Sequence, residues 1–308
     1  KCIFTLFSFY HMPAAQHTDA TIQIHVAVFL FGLTAILGDL IDMSAIMIVW
    51  WRVLITSISL WMLIGFGKML RDLPRQLIVK YAGIGFIIGL HWITFYGAIK
   101  LANASVALIC MSTTTLFTAL IEPLYIRTKV NYTELAISIA IIPAMILIVN
   151  HLDISQTNGV ISGIVSAFLA AVFSVMNKKY IKEADPIVIS YIELSSSWLL
   201  ISVILLTMNL FGQSMSPFFP PTIYDWVYLV ILALLCTTLA QILTLKALKY
   251  LSAFELNLVV NLEPVYGILL AIVILKEHKE LNPMFYLGAA IIIGSVFLYS
   301  YLNKKVIK

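Results

Sequence analysis

Four ionisable side chains stand inside long apolar runs of this sequence: Arg52, Glu122, Glu193 and Glu263. A charge at the centre of a membrane helix costs roughly 2.5–3.5 kcal/mol on insertion scales, so such groups are expected to face protein or water. Arg52 has the chemistry to hold a carboxylate. Thr56 and Ser59 follow at i+4 and i+7, so the three share one helical face. The plainer reading pairs Arg52 with Asp39, Asp42 or a lipid headgroup. Glu193, flanked by Ser190 and Ser197 on its face, can hold a cationic group or a proton, or form an internal ion pair with Arg52. Glu263 precedes Pro264, which lacks an N–H and clashes with the carbonyl of Val260. Broken helices are where transporters place substrate and coupling-ion sites, so Glu263 and Pro264 are candidates for coupling. The alternative is a neutral Glu263 that hydrogen-bonds the freed carbonyl. Glu122 follows Thr114 and Thr118 at spacings of four and is read as a solvated gate residue.

Uncharged candidates accompany these four. His91, Trp92, Phe95 and Tyr96 cluster in one run, which reads either as packing or as a cavity wall. Thr237, Gln241 and Thr244 form a stripe at i, i+4 and i+7, and Asn257 and Asn261 stack at i+4. Such stripes line wet cavities or join helices by hydrogen bonds, worth about 0.6 kcal/mol each. Asn261 and Glu263 point about 200° apart round an ideal helix, so both face one pore only if the helix turns at Pro264.

The elements that must position these groups follow from composition. Of 308 residues, 61% are hydrophobic and only 11% charged, with a mean hydropathy of +1.00. Soluble domains carry about 25% charged residues, so the chain is an all-α integral membrane protein. A bilayer core needs about 20 apolar residues as helix. Ten such runs lie near 22–41, 45–66, 79–99, 103–126, 132–150, 158–177, 186–211, 224–245, 252–275 and 281–302. Residues 1–21 are read as a leader and 304–308 as a basic tail. Lys and Arg crowd the segments on one side, among them Lys68, Arg71, Arg75, Lys80, Arg127, Lys129, Lys178, Lys179, Lys182, Lys246, Lys249, Lys304 and Lys305. The other side holds Lys100, Lys276 and Lys279. By the positive-inside rule both termini are cytoplasmic.

The halves repeat at a spacing of 149 residues: "YGAIKLANASVALI" (96–109) lies over "LKALKYLSAFELNL" (245–258). Two units follow, 22–150 and 151–303. Each has five spans, so they enter from opposite sides: a 5+5 inverted repeat, typical of transporters with a midplane site between the halves. "WWRVLI", "FYGAIKLANASVALI", "LEPVYGILLAIVILKE" and "YLGAAIIIGSVFLY" carry a resemblance to the drug/metabolite transporter (DMT) superfamily, EamA-like branch. It implies ten helices and transport of small metabolites, amino acids or drugs, often outward. The implied cavity is lined by spans 3, 4, 8 and 9, with 1, 2, 6 and 7 beside it. This chain departs from the pattern at Thr115, where members often carry Pro.

Other functions find no support. There is no Walker motif, H-E-x-x-H or nucleophile elbow. Cys2, Cys110 and Cys236 have neither zinc nor disulfide spacing. The basic residues form no nucleic-acid patch. The expectation is a secondary transporter, not an enzyme, in a bacterial inner membrane. It has no cofactor or metal, a small-molecule substrate, lipid as its surroundings, and carboxyls able to couple a proton. The alternatives are an uncoupled channel or facilitator and, less favoured, a membrane-embedded enzyme.

Overall fold

The computed structural model describes residues 14–64, 73–149, 157–212, 217–263, 265–267, 270 and 283–306. Among them every regular element is helical, as an apolar chain in lipid requires when backbone groups must be satisfied within the segment. In chain order these are α1 (Ala14–Leu40), α2 (Ala45–Ile64), α3 (Arg75–Leu101), α4 (Ala104–Met111), α5 (Thr114–Ile126) and α6 (Tyr132–Val149). There follow α7 (Thr157–Tyr180), α8 (Pro186–Leu210), α9 (Ile223–Ala233), a π-helical segment (Leu234–Leu239), α10 (Ala240–Leu248), α11 (Ala253–Val260) and α12 (Pro283–Val306). Seven helical stretches among the described residues are long and apolar enough to cross a membrane, Val106–Ile126 running through α4 and α5 and Ile223–Leu248 through α9, the π-helical segment and α10. The first helix begins at Ala14, ahead of the expected 22, and Ala20 is already buried.

Local chemistry sets these ends. Asp185 caps α8 by accepting from Ile187 N–H at 2.9 Å, with Pro186 at the first helical position. Thr222 with Asp225, and Ser252 with Glu255, close capping boxes that start α9 and α11. Asn103 caps α4 through Val106 N–H at 2.8 Å. The repeat read from the sequence reappears in this detail. Asn103 and Ser252 stand 149 residues apart, and both eight-residue helices, α4 and α11, start and stop at positions offset by that number. The first break, at Ser112 and Thr113, is held by their hydroxyls donating to the Ile109 and Cys110 carbonyls at 2.7 Å. The second follows Asn261, and Pro264 beyond it lies outside the described residues.

α3 is the spine, packing along both α7 and α8, while α2 lies on α8 and α1 on α10. The α3–α8 approach depends on Gly85. A Cβ there would run into the Glu193 carbonyl and the Ser196 hydroxyl, and Ser197 Oγ donates to the Gly85 carbonyl. Small residues at such crossings let backbones touch in lipid, where burial from water provides no drive. Gly85→Val is therefore expected to destabilise the protein by about 1–3 kcal/mol through overpacking. A lowered melting temperature in detergent would show it.

Candidate functional site

Arg52 sits on α2 and is only 1% exposed. Its Nε donates to Thr237 Oγ1 at 2.5 Å and its Nη1 to Tyr96 Oη at 2.8 Å. The guanidinium carbon lies 4.4 Å from the Trp92 ring centroid, a cation–π contact. These contacts orient the fork without neutralising it. No carboxylate among the described residues pairs with Arg52, so the expected ion pairs with Asp39, Asp42 or Glu193 are replaced by hydroxyl and π contacts. Guanidinium has five N–H donors. Two are used, and the rest remain available on the wall of a cavity.

Thr237 is aimed at Arg52 by the π-helical segment. There the ladder shifts to i→i+5 and changes which carbonyls find N–H partners. The Thr237 and Thr238 hydroxyls donate to the Leu232 and Ala233 carbonyls at 2.7 and 3.0 Å. Thr56 on α2 also donates to Ala233 at 3.1 Å, and Ser59 lies 2.9 Å from Thr238 Oγ1. The Arg52–Thr56–Ser59 face is thus real, but its lower two members join helices.

The cavity, about 90 Å³, is walled by Phe31 and Thr34 of α1, Arg52, Ile88, His91, Trp92 and Phe95 of α3, Met111 and Thr114. Ala170, Phe173 and Ser174 of α7, Gln241 and Thr244 of α10, Leu256, Asn257 and Val260 of α11, and Glu263 complete it. Aromatic and apolar walls carry a few convergent polar groups, the usual make-up of a small-molecule site. His91 is fixed by α7, its Nδ1 2.8 Å from Ser166 Oγ and 2.9 Å from the Ser166 carbonyl. Thr114 Oγ1 is buried without a protein partner.

Glu263 is 6% exposed and forms no hydrogen bond to a described residue, including the Val260 carbonyl proposed as its structural partner. Asn261 turns away from the cavity and donates to Thr115 Oγ1 at 3.3 Å; Asn257 Nδ2 donates to Thr118 Oγ1 at 2.8 Å. The two broken segments are thereby tied together beside the cavity. Glu193 is 0% exposed and lies behind this wall, reached through Gln241, whose Nε2 donates to Glu193 Oε2 at 3.2 Å.

Glu122 requires a correction. It is not a solvated gate residue: it is half-buried, and its Oε1 and Oε2 accept from Ala253 and Phe254 N–H at 3.1 and 2.9 Å. A carboxylate meets the unpaired donors and positive dipole end of α11. Lys178 secures the same turn by donating to the Leu248 and Leu251 carbonyls at 2.9 and 2.5 Å. Glu122→Ala should cost about 1–2 kcal/mol, the size of a lost helix cap. An unchanged melting temperature would return Glu122 to solvent.

Sequence reading missed Ser166, Ser174 and the π-helical segment. The two serines are eight residues apart on one face of α7, a spacing that was legible but is common in membrane helices.

A polytopic helical bundle with internal repetition encloses a cavity combining one arginine, one carboxyl and aromatic walls, and this defines a class: helical membrane proteins with an interior cavity. The model of the EamA-like transporter family matches twice, over residues 20–150 and 157–301. The chain belongs to that family, within the DMT superfamily, and is a membrane transporter. One solved crystal structure of a protein aligns over 94% of this chain and 99% of its own, with 15% identity and a TM-score of 0.72; at that identity the likeness shows the fold alone. A comparison with curated protein sequences finds no match.

Proposed function

We propose that the protein is a secondary carrier of small organic metabolites bearing a carboxylate, amino acids among them, working by alternating access. The observation that carries this is Arg52: buried, charged, unpaired by any carboxylate among the described residues, and facing a cavity. A fork of that kind is matched by a bidentate carboxylate. Glu263 on the same cavity suits an ammonium group or a proton, and Trp92, Phe95, Phe31 and Phe173 suit an apolar body.

In this reading the chain has ten spans in two inverted units, 22–150 and 151–303. The seven apolar stretches are joined by α6, by the span that α11 opens and by α12. Rocking of one unit against the other exposes the cavity to each side in turn. The distribution of Lys and Arg supports cytoplasmic termini, as in a bacterial inner membrane.

Counterflow in proteoliposomes tests the carrier. Vesicles loaded with an unlabelled amino-acid mixture should accumulate labelled amino acid from outside, saturably. Flux that neither saturates nor shows counterflow would mark an uncoupled channel instead.

A further inference from the structure

Gln241 belongs to two environments. It lines the cavity, and its amide donates to Glu193, which does not. Three buried oxygens, one of Glu193 and one each of Asn177 and Ser190, have no hydrogen-bond partner: Glu193 Oε1, Asn177 Oδ1 and Ser190 Oγ. Their residues are 0, 2 and 0% exposed. Asn177, on α7, meets the Glu193 carboxyl through its side-chain amide, which offers an N–H donor and, on rotation of the amide, its oxygen. Ser190 lies one turn before Glu193 on the same face of α8.

Orphaned polar atoms in a protein interior are rare, and a buried carboxylate without a counter-charge is more costly still. No basic group among the described residues forms an ion pair with Glu193: Arg52 of α2 faces the cavity, which Glu193 does not line, and Lys178 of α7 donates to the Leu248 and Leu251 carbonyls. The titratable neighbour on α3 is Tyr81, whose hydroxyl donates to the Tyr180 carbonyl at 3.0 Å. From α10 the carboxyl receives the neutral Gln241 amide.

We propose that Glu193, Asn177 and Ser190 form a site for one small monovalent cation, a proton or a sodium ion, set behind the cavity and joined to it by Gln241. A single positive charge neutralises Glu193. A proton on Oε1 becomes a donor to a neighbouring oxygen, and a sodium ion takes all three as hard ligands. A divalent ion fits less well, since such ions draw on several carboxylates, and no group of three His, Cys, Asp or Glu side chains gathers among the described residues. Resting on the reading of the cavity as the solute site, Gln241 also gives the coupling. A solute that draws its amide takes a donor from Glu193 and changes cation affinity, and the cation changes solute affinity by the same factor.

Melting of the purified full-length protein tests the site without transport. Sodium chloride is exchanged for choline chloride at constant ionic strength, and a pH series is run beside it. At sodium about ten times Kd, a sodium site raises the melting temperature by about 3 °C. A proton site shows as a pH-dependent component of the melting temperature. Glu193→Gln, which keeps shape and the Gln241 contact, should abolish the response. Asn177→Ala should move its midpoint about tenfold, and Glu263→Gln should leave the sodium response in place. Identical sodium and pH responses in the wild type and Glu193→Gln would overturn the proposal. Because binding is read, that result leaves the carrier standing, and an absence of counterflow leaves this site standing.

Discussion

Arg52→Met is expected to weaken binding of carboxylate-bearing solutes about ten- to a hundredfold, the value of a charge-assisted hydrogen bond lost from a buried site. The methionine keeps contact with Trp92 and fills similar space, so the wall survives. Thr237 still donates to the Leu232 carbonyl, which limits the damage to the π-helical segment. Cationic solutes should lose far less, because removing the arginine removes a repulsion. Arg52→Lys should fall between the two, since an ammonium keeps the charge but not the planar fork that reaches Thr237 and Tyr96 together. Competition against a labelled solute by anionic and cationic analogues checks this. Equal losses for both charges would assign Arg52 to folding.

The second large effect is expected at Glu263. Its carboxyl is on the cavity wall without a hydrogen-bond partner among the described residues, which in the proposed carrier is the place for a group that carries the coupled proton. Glu263→Gln keeps the shape and removes the titration. Uptake driven by a proton gradient should fall about tenfold or more, while counterflow, which needs no net proton movement, should be kept. A pH dependence of transport that is unchanged in the variant would contradict this role.

The helices and their repetition were legible because hydropathy and the 149-residue offset are local or periodic signals, and the caps Asn103 and Ser252 fall at matching places. Asn261 was read as a cavity residue, with a shared pore for it and Glu263 only if the helix turned at Pro264; instead Asn261 binds Thr115 while Glu263 meets the cavity, a partner choice that the spacing alone left open. Glu122 was misread because its partners are the N–H groups of residues 131 and 132 positions away, and chain distance carries no trace of them. The stripe Thr114–Thr118–Glu122 was correctly seen as one face, but it meets α11 at Thr118 and Glu122 and the cavity at Thr114. The π-helical segment was hidden for a related reason. Its Leu-Leu-Cys-Thr-Thr-Leu reads as ordinary helix, and its shifted carbonyls are satisfied by its own threonines and by Thr56 from another helix.

Labelling from the two membrane faces is the most direct test of a cavity that opens to each side in turn. With Cys2, Cys110 and Cys236 replaced by alanine, a single cysteine is placed on the cavity wall in each half, Thr114→Cys or Thr244→Cys. Membrane-impermeant thiol reagents are then applied from either face of oriented vesicles. Both cysteines should react from both faces, and an amino acid that is transported should protect both. Reaction from one face alone, or from neither, would contradict alternating access.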